Sequence, residues 1–165
     1  MNELVIRPFQ AQDFEQVKKI YQQGIDTKIA TFETEAPTFE VWETKFRKNS
    51  RFVATKNDLI MGWVALSSVS QRKVYQGVCE VSLYVGTKFQ GQRIGTVLLK
   101  EIIARSENQG IWTLQAGIFP ENIGSINLHK KLGFREVGYR EKIGMRDGKW
   151  HDNIFLERRS KVVGI

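Results

Sequence analysis

The sequence predicts a mixed α/β fold, a largely antiparallel sheet flanked by helices on both faces. Two observations predict it. Apolar periodicity switches between a strand repeat and a helical repeat along the chain, in the order β, α, α, β, β, β, α, β, α, β, β. Within that order, short turns at Asn57-Asp58 and Asp147-Gly148 join neighbouring strands, and one strand–helix–strand passage is long enough for a crossover.

The elements follow in turn. Leu4 to Arg7 is a short strand. Phe14, Val17, Ile20 and Tyr21 fall at helical spacing between Ala11 and about Ile25. Thr38 can cap a second helix through about Lys48. Phe52–Thr55 and Ile60 to about Val69 flank the Asn57-Asp58 turn as a hairpin. From Val78 to Val85 the residues alternate, so Glu80, Ser82 and Tyr84 share one face and Val81, Leu83 and Val85 the other. A helix with an apolar stripe runs from Ile94 to Gln109, with Gly110 at its C-cap. Trp112 to Ile118 is a strand, Ile123 to Leu132 a helix ended by Gly133, and Phe134–Met145 and Trp150–Arg158 close the chain as strands.

The 165 residues suit a single domain, with 41% hydrophobic and 26% charged residues. No apolar run approaches the ~20 residues that cross a membrane. The N-terminus, Met1 to Arg7, does not read as a signal peptide. One cysteine, Cys79, forms no intramolecular disulfide and suits a reducing compartment, so a cytoplasmic location is expected. The net charge of +7 is spread over scattered basic pairs rather than a tail. It suits a polyanionic cofactor as well as a nucleic acid, but no helix–turn–helix, zinc spacing or aromatic strand motif accompanies it. No nucleic-acid or membrane partner is expected, and no metal.

The most informative segment is Tyr84 to Thr96, where a strand enters a loop containing Gly86 and Gly91 that opens the long helix. The first amides of a helix lack intrahelical acceptors and carry the positive end of its dipole. Such a turn can bind a phosphate, or it can be an ordinary strand-to-helix connection. It lacks the Lys-Ser/Thr ending of a nucleotide-triphosphate loop and the three-glycine dinucleotide fingerprint.

Gln90-Gly91-Gln92-Arg93-Ile94-Gly95 resembles the pyrophosphate loop of the GNAT superfamily of N-acetyltransferases, Gln/Arg-x-x-Gly-x-Gly/Ala, with Arg93 where the family has glycine. Downstream, Asn122-Ile123-Gly124-Ser125-Ile126-Asn127-Leu128-His129, continuing to Gly133-Phe134, is similar to a second block of that family. Glu80–Val85, Leu128-His129, Gly148–Asp152 and Ala30–Glu35 look like its phosphinothricin and methionine sulfoximine acetyltransferase branch. The resemblance spans about Arg7 to Arg158. It implies the GNAT fold, acetyl-CoA as cofactor, an amino-acid-like substrate and commonly a homodimer.

Residue roles follow from the resemblance and the chemistry together. Leu83, Tyr84, Val85, Gln90, Gly91, Gln92, Arg93, Ile94, Gly95, Thr96, Asn122 and Ser125 are expected to contact the cofactor. A backbone amide near Leu83–Val85 would serve the developing oxyanion. An α-amine is mostly protonated near pH 7, so a base is needed. Glu80, mid-strand among apolar residues, is that base or a structural ion-pair partner. His129 is the candidate proton donor to the leaving thiolate, or a structural helix residue. Arg72 is expected to clamp a substrate carboxylate, with Phe32, Glu33, Val81 and Ser82 lining the pocket. Trp150 reads as packing and Cys79 as a buried small residue. The alternatives are acetylation of a protein N-terminus or lysine, and a non-catalytic acetyl-CoA-binding module.

Overall fold

A computed structural model describes residues 3–165; the reading of the N-terminus at Met1 and Asn2 lies outside them. The elements run in the order the periodicity predicts: β1 Val5–Pro8, α1 Phe14–Asp26, α2 Phe39–Lys45, β2 Arg51–Lys56, β3 Leu59–Ser68, β4 Val78–Val85, α3 Ile94–Asn108, β5 Thr113–Ile118, α4 Ile123–Lys131, β6 Arg135–Arg146 and β7 Lys149–Arg159. Thr38 caps α2 by accepting from the Val41 amide. That helix stops at Lys45 rather than about Lys48, because Phe46 turns extended (φ −103°, ψ 139°) to pack its ring against Trp42 and Trp63.

The sheet has seven strands in the order β1-β2-β3-β4-β5-β7-β6. Only β4 and β5 pair in parallel, across the α3 crossover. The last strand inserts between β5 and β6, an order that periodicity does not show. One face carries α3 and α4, where Leu98, Leu99 and Ile102 are fully buried against Val64, Leu66 and Leu114. Burying each such side chain stabilises the fold by about 1.5–3 kcal/mol. The other face carries α1 and α2, with Val17, Ile25, Trp42 and Trp63 at its centre.

The feature that positions the site is a splay. β4 pairs with β5 only through Val78, Cys79 and Glu80, and beyond Glu80 the two strands part. On its other edge β4 stays paired with β3 as far as Val85. Gly86 N–H donates to the Met61 carbonyl at 2.8 Å, which sets the alternation of that ladder. Tyr84 and Ser82 therefore turn their backbone groups toward β3, while Leu83 and Val85 turn theirs into the gap. The side-chain faces match the expected split: Leu83 and Val85 pack on the α3 side, and Tyr84 on the α1 side against Tyr21 and Trp63.

Trp150, expected to pack, is not buried within the chain. It is 53% exposed at the tip of the β6–β7 hairpin, opposite Met145, itself 52% exposed. Among the described residues no helix is long and apolar enough to cross a membrane.

Candidate active site

Two clefts meet at the splay. The first, about 580 Å³, lies between the α1–α2 loop and the start of α3. Leu83, Tyr84 and Val85 form its floor, and Gln90, Gly91, Arg93, Ile94, Gly95 and Thr96 its rim. Asn122 and Ser125 close it at the N-terminus of α4. Gln92 does not line it; its side-chain amide turns back to donate to the Lys88 carbonyl.

This cleft fits a pyrophosphate carried on a pantetheine chain. Val97 N–H makes the first α3 bond to the Arg93 carbonyl, so the Ile94, Gly95 and Thr96 amides have no intrahelical acceptor. No side chain caps them. Gly91 has φ +76°, and a Cβ there would meet nothing within 4 Å, so the loop backbone stands open. Arg93 sits at φ 63°, ψ 11°, the left-handed region. That explains the glycine usual at this position, since an L-residue there costs about 1–2 kcal/mol. On the opposite wall Gly24 lies against Tyr84, whose ring a Cβ would approach to 2.5 Å.

The second cleft, about 660 Å³, holds Glu80. Phe32, Glu33, Val81 and Ser82 line it as expected, and it shares Ala30, Leu83, Tyr84, Asn122 and Ser125 with the first. Glu80 does not pack among apolar residues as the strand pattern implied. Its side chain opens to the cleft, exposed to water yet surrounded on several sides by protein. Burial pushes its carboxyl above the usual glutamate range, and the charges of Lys45 and Arg140 partly offset that. No ion pair engages it among the described residues. Tyr21, Tyr84 and Thr31 form a hydroxyl cluster beside it. Burial raises Tyr21 to about 12 and Tyr84 further still, so both remain protonated donors.

His129 is 3% exposed and lines the same cleft. Its Nδ1 donates to the Ser125 carbonyl at 2.8 Å, and its ring sits edge-on to Phe134. Burial holds it below the usual histidine range, although the Ser125 contact pulls the other way. It is therefore neutral near pH 7, with Nε2 unprotonated.

Residues 6–155 match the family described as Acetyltransferase (GNAT) domain. This chain belongs to the GNAT acetyltransferase family. It is 29% identical over 157 residues to the phosphinothricin N-acetyltransferase of Streptomyces viridochromogenes, covering 93% of this chain and 86% of the relative. It superposes with a TM-score of 0.88 on the crystal structure of a GNAT superfamily phosphinothricin acetyltransferase from Sinorhizobium meliloti in complex with acetyl-CoA, at 26% identity over 98% of this chain and 90% of that one. A ribosomal-protein-alanine N-acetyltransferase from Brucella melitensis gives the same TM-score at 26% identity, covering 95% of this chain and 100% of that one.

In this GNAT enzyme a second expected residue, after Gln92, lies elsewhere. Arg72 does not line the cleft: it begins a short turn in the β3–β4 loop and stacks on Tyr75 of that turn, 5.3 Å from the ring centroid. The cations that do line the cleft are Lys45 and Arg140. Sequence reasoning also missed Asn153, buried beside Arg140, and Arg146, buried at the end of β6. β6 also carries Arg135, Glu136, Glu141 and Lys142, so no local signal sets Arg140 and Arg146 apart. Cys79 is fully buried, with its thiol 3.6 Å from the Arg47 guanidinium. Among the described residues no group of three or more His, Cys, Asp or Glu is arranged to hold a metal.

Proposed function

We propose that this acetyltransferase acetylates the α-amine of a small amino-acid-like substrate, of the phosphinothricin, methionine sulfoximine or methionine sulfone type. One observation carries the reading: the two clefts meet at Leu83 and Tyr84, with unfilled amides in one and a free, raised-pKa carboxylate in the other. Acetyl-CoA, when bound, supplies an activated acetyl thioester. The Ile94, Gly95 and Thr96 amides would hold its pyrophosphate, and Gly91 lets the phosphates approach the backbone. The Leu83 and Val85 backbone groups, left unpaired by the splay, are free to hold the pantetheine chain like an added strand and to stabilise negative charge on an oxygen.

Glu80 takes the proton that the substrate ammonium must lose before its nitrogen can attack. Its raised pKa makes it a better proton acceptor than an ordinary glutamate. His129 enters the reaction neutral, so it can protonate a leaving thiolate only after first receiving a proton at Nε2. The absence of a competing ion pair among the described residues supports the catalytic over the structural role for Glu80. We further propose that the enzyme works in the cytoplasm as a homodimer; the exposed Tyr139, Met145 and Trp150 on the β6–β7 hairpin support an apolar contact between copies.

The test is a thiol-release screen with product masses, across phosphinothricin, methionine sulfoximine, methionine sulfone, natural amino acids and a peptide beginning with alanine. Turnover of a free amino acid at higher kcat/KM than the peptide is expected. The likeness to the Brucella enzyme favours a second reading, acetylation of a protein N-terminus, and a preference for the peptide would establish that instead.

A further inference from the structure

The substrate cleft contains a polar pair that the reading above leaves unused. Asn153 on β7 is 8% exposed, and its Oδ1 is buried with no hydrogen-bond partner among the described residues. A buried acceptor without a donor is costly, and in a cleft wall it marks a place for a donor from outside. Asn153 reaches this place because position 117 on β5 is glycine: a Cβ there would stand 2.9 Å from Asn153 Nδ2.

Arg140 on β6 is the register partner of Asn153, so the two side chains leave the same face of the hairpin. Its guanidinium carbon rests 4.0 Å from the centroid of the Phe155 ring. That stack orients the fork while leaving its donors free. No carboxylate lies within ion-pair distance of it among the described residues. Lys45, the other cation of the cleft, is already near Glu33, at 3.8 Å. Arg140, Asn153, Phe155 and Glu80 all line this one cleft.

We propose that Arg140 and Asn153 form the head-group receptor for a free α-amino acid. Arg140 takes the α-carboxylate through two parallel hydrogen bonds, and Asn153 Oδ1 accepts one N–H of the α-ammonium. A second proton of that ammonium passes to Glu80. The substrate's side chain then runs toward Phe32 and Phe119, whose rings meet edge to face at 4.7 Å. The inference rests on the amino-acid reading above and narrows it, because peptides and alkylamines lack the free α-carboxylate.

The experiment compares methionine sulfone, or whichever free amino acid of the screen reacts fastest, with its α-carboxamide. Arg140→Ala should raise KM for the acid by about 10- to 100-fold, with a far smaller rise for the amide. Arg140→Lys should recover only part of the loss, since a point charge cannot offer the fork. Asn153→Leu should raise KM for both compounds alike, because both carry the amine. Gly117→Ala, which crowds Asn153, should do the same.

One further readout follows from the charge that Arg140 places in the cleft. Glu80 is faced by Arg140 from β6, Lys45 from α2, Glu33 from the α1–α2 loop, and the Tyr21 and Tyr84 hydroxyls. Removing Arg140 removes one of its two stabilising charges, so the acid limb of kcat/KM should move to higher pH. If the alanine variant does not fold, Arg140→Gln is measured in its place. An unchanged acid-over-amide preference in a folded variant overturns the proposal while leaving amino-acid acetylation intact. A wild-type enzyme that acetylates no free amino acid fails the broader reading, and this one with it.

Discussion

Arg146 Nη1 donates to the Thr31 carbonyl at 3.1 Å, which ties the end of β6 to the loop between the two clefts. A second bond from Nη2 to the Ile25 carbonyl, 3.0 Å, anchors the last turn of α1, which leads into that loop. Ala30 in that loop lines both clefts, and Phe32 and Glu33 follow it into the second. Arg146 is thus a positioning residue for the wall, one that touches neither reactant.

Arg146→Ala removes the donor to the Thr31 carbonyl and one of the donors to the Ile25 carbonyl, which keeps the Lys28 amide, at a stability cost of about 1–3 kcal/mol. A drop in thermal midpoint is expected together with a higher KM for the amine substrate. Circular dichroism melts and steady-state kinetics check both. A fall in midpoint with KM unchanged would mean that the loop keeps its place without the clamp.

Gly95→Glu tests the anion site. A Cβ at position 95 would stand 3.1 Å from Leu128 Cδ2, and the carboxylate would sit among the amides proposed for the pyrophosphate. Wild-type protein at 100 times Kd of acetyl-CoA should gain about 2.7 kcal/mol of stability. The variant should gain none in the same thermal-shift assay, with its own unliganded melt as control. An equal shift in both would move the cofactor away from α3.

His129 links stability to pH. Its folded-state pKa is depressed by burial, so below about 6.5 the unfolded chain binds a proton that the folded chain resists. Stability should therefore fall as pH drops from 6.5 toward 5, and His129→Gln should flatten that part of the curve. Urea midpoints across this range measure it. Kinetics of the same variant separate two roles: a loss of about 100-fold or more in kcat assigns it proton transfer, and a loss under tenfold assigns it packing.

The elements were legible because their signals are local. The alternation at Glu80–Val85, the stripe from Ile94 to Ile103, and the turns at Asn57-Asp58 and Asp147-Gly148 each lie within one stretch of chain. The loop proposed to hold the cofactor pyrophosphate was visible for the same reason, down to Arg93, whose left-handed backbone accounts for its mismatch with glycine. The substrate wall was not. Periodicity assigns a residue to a face of its strand but does not say which strands become neighbours. Because β7 inserts between β5 and β6, Asn153 comes to lie over Gly117, and Arg140 enters the cleft where Arg72 was expected. Trp150 misled in the opposite direction, since an apolar residue beside a turn carries no sign of whether anything packs on it.

Glu80→Gln tests the central claim most directly, because it keeps the side-chain shape and removes only the capacity to accept the amine proton. Burial raises the Glu80 pKa, so in the wild type the active carboxylate is lost as pH falls through a value above the ordinary ~4.3. At pH 7 the variant should lose about 100- to 10,000-fold in kcat/KM, with acetyl-CoA affinity nearly unchanged. Its rate should then climb with pH as neutral amine becomes abundant, and the wild-type acid limb should disappear. A variant that stays within about threefold of wild type from roughly pH 6 to 9, far short of that general-base range, would contradict the account and make Glu80 structural.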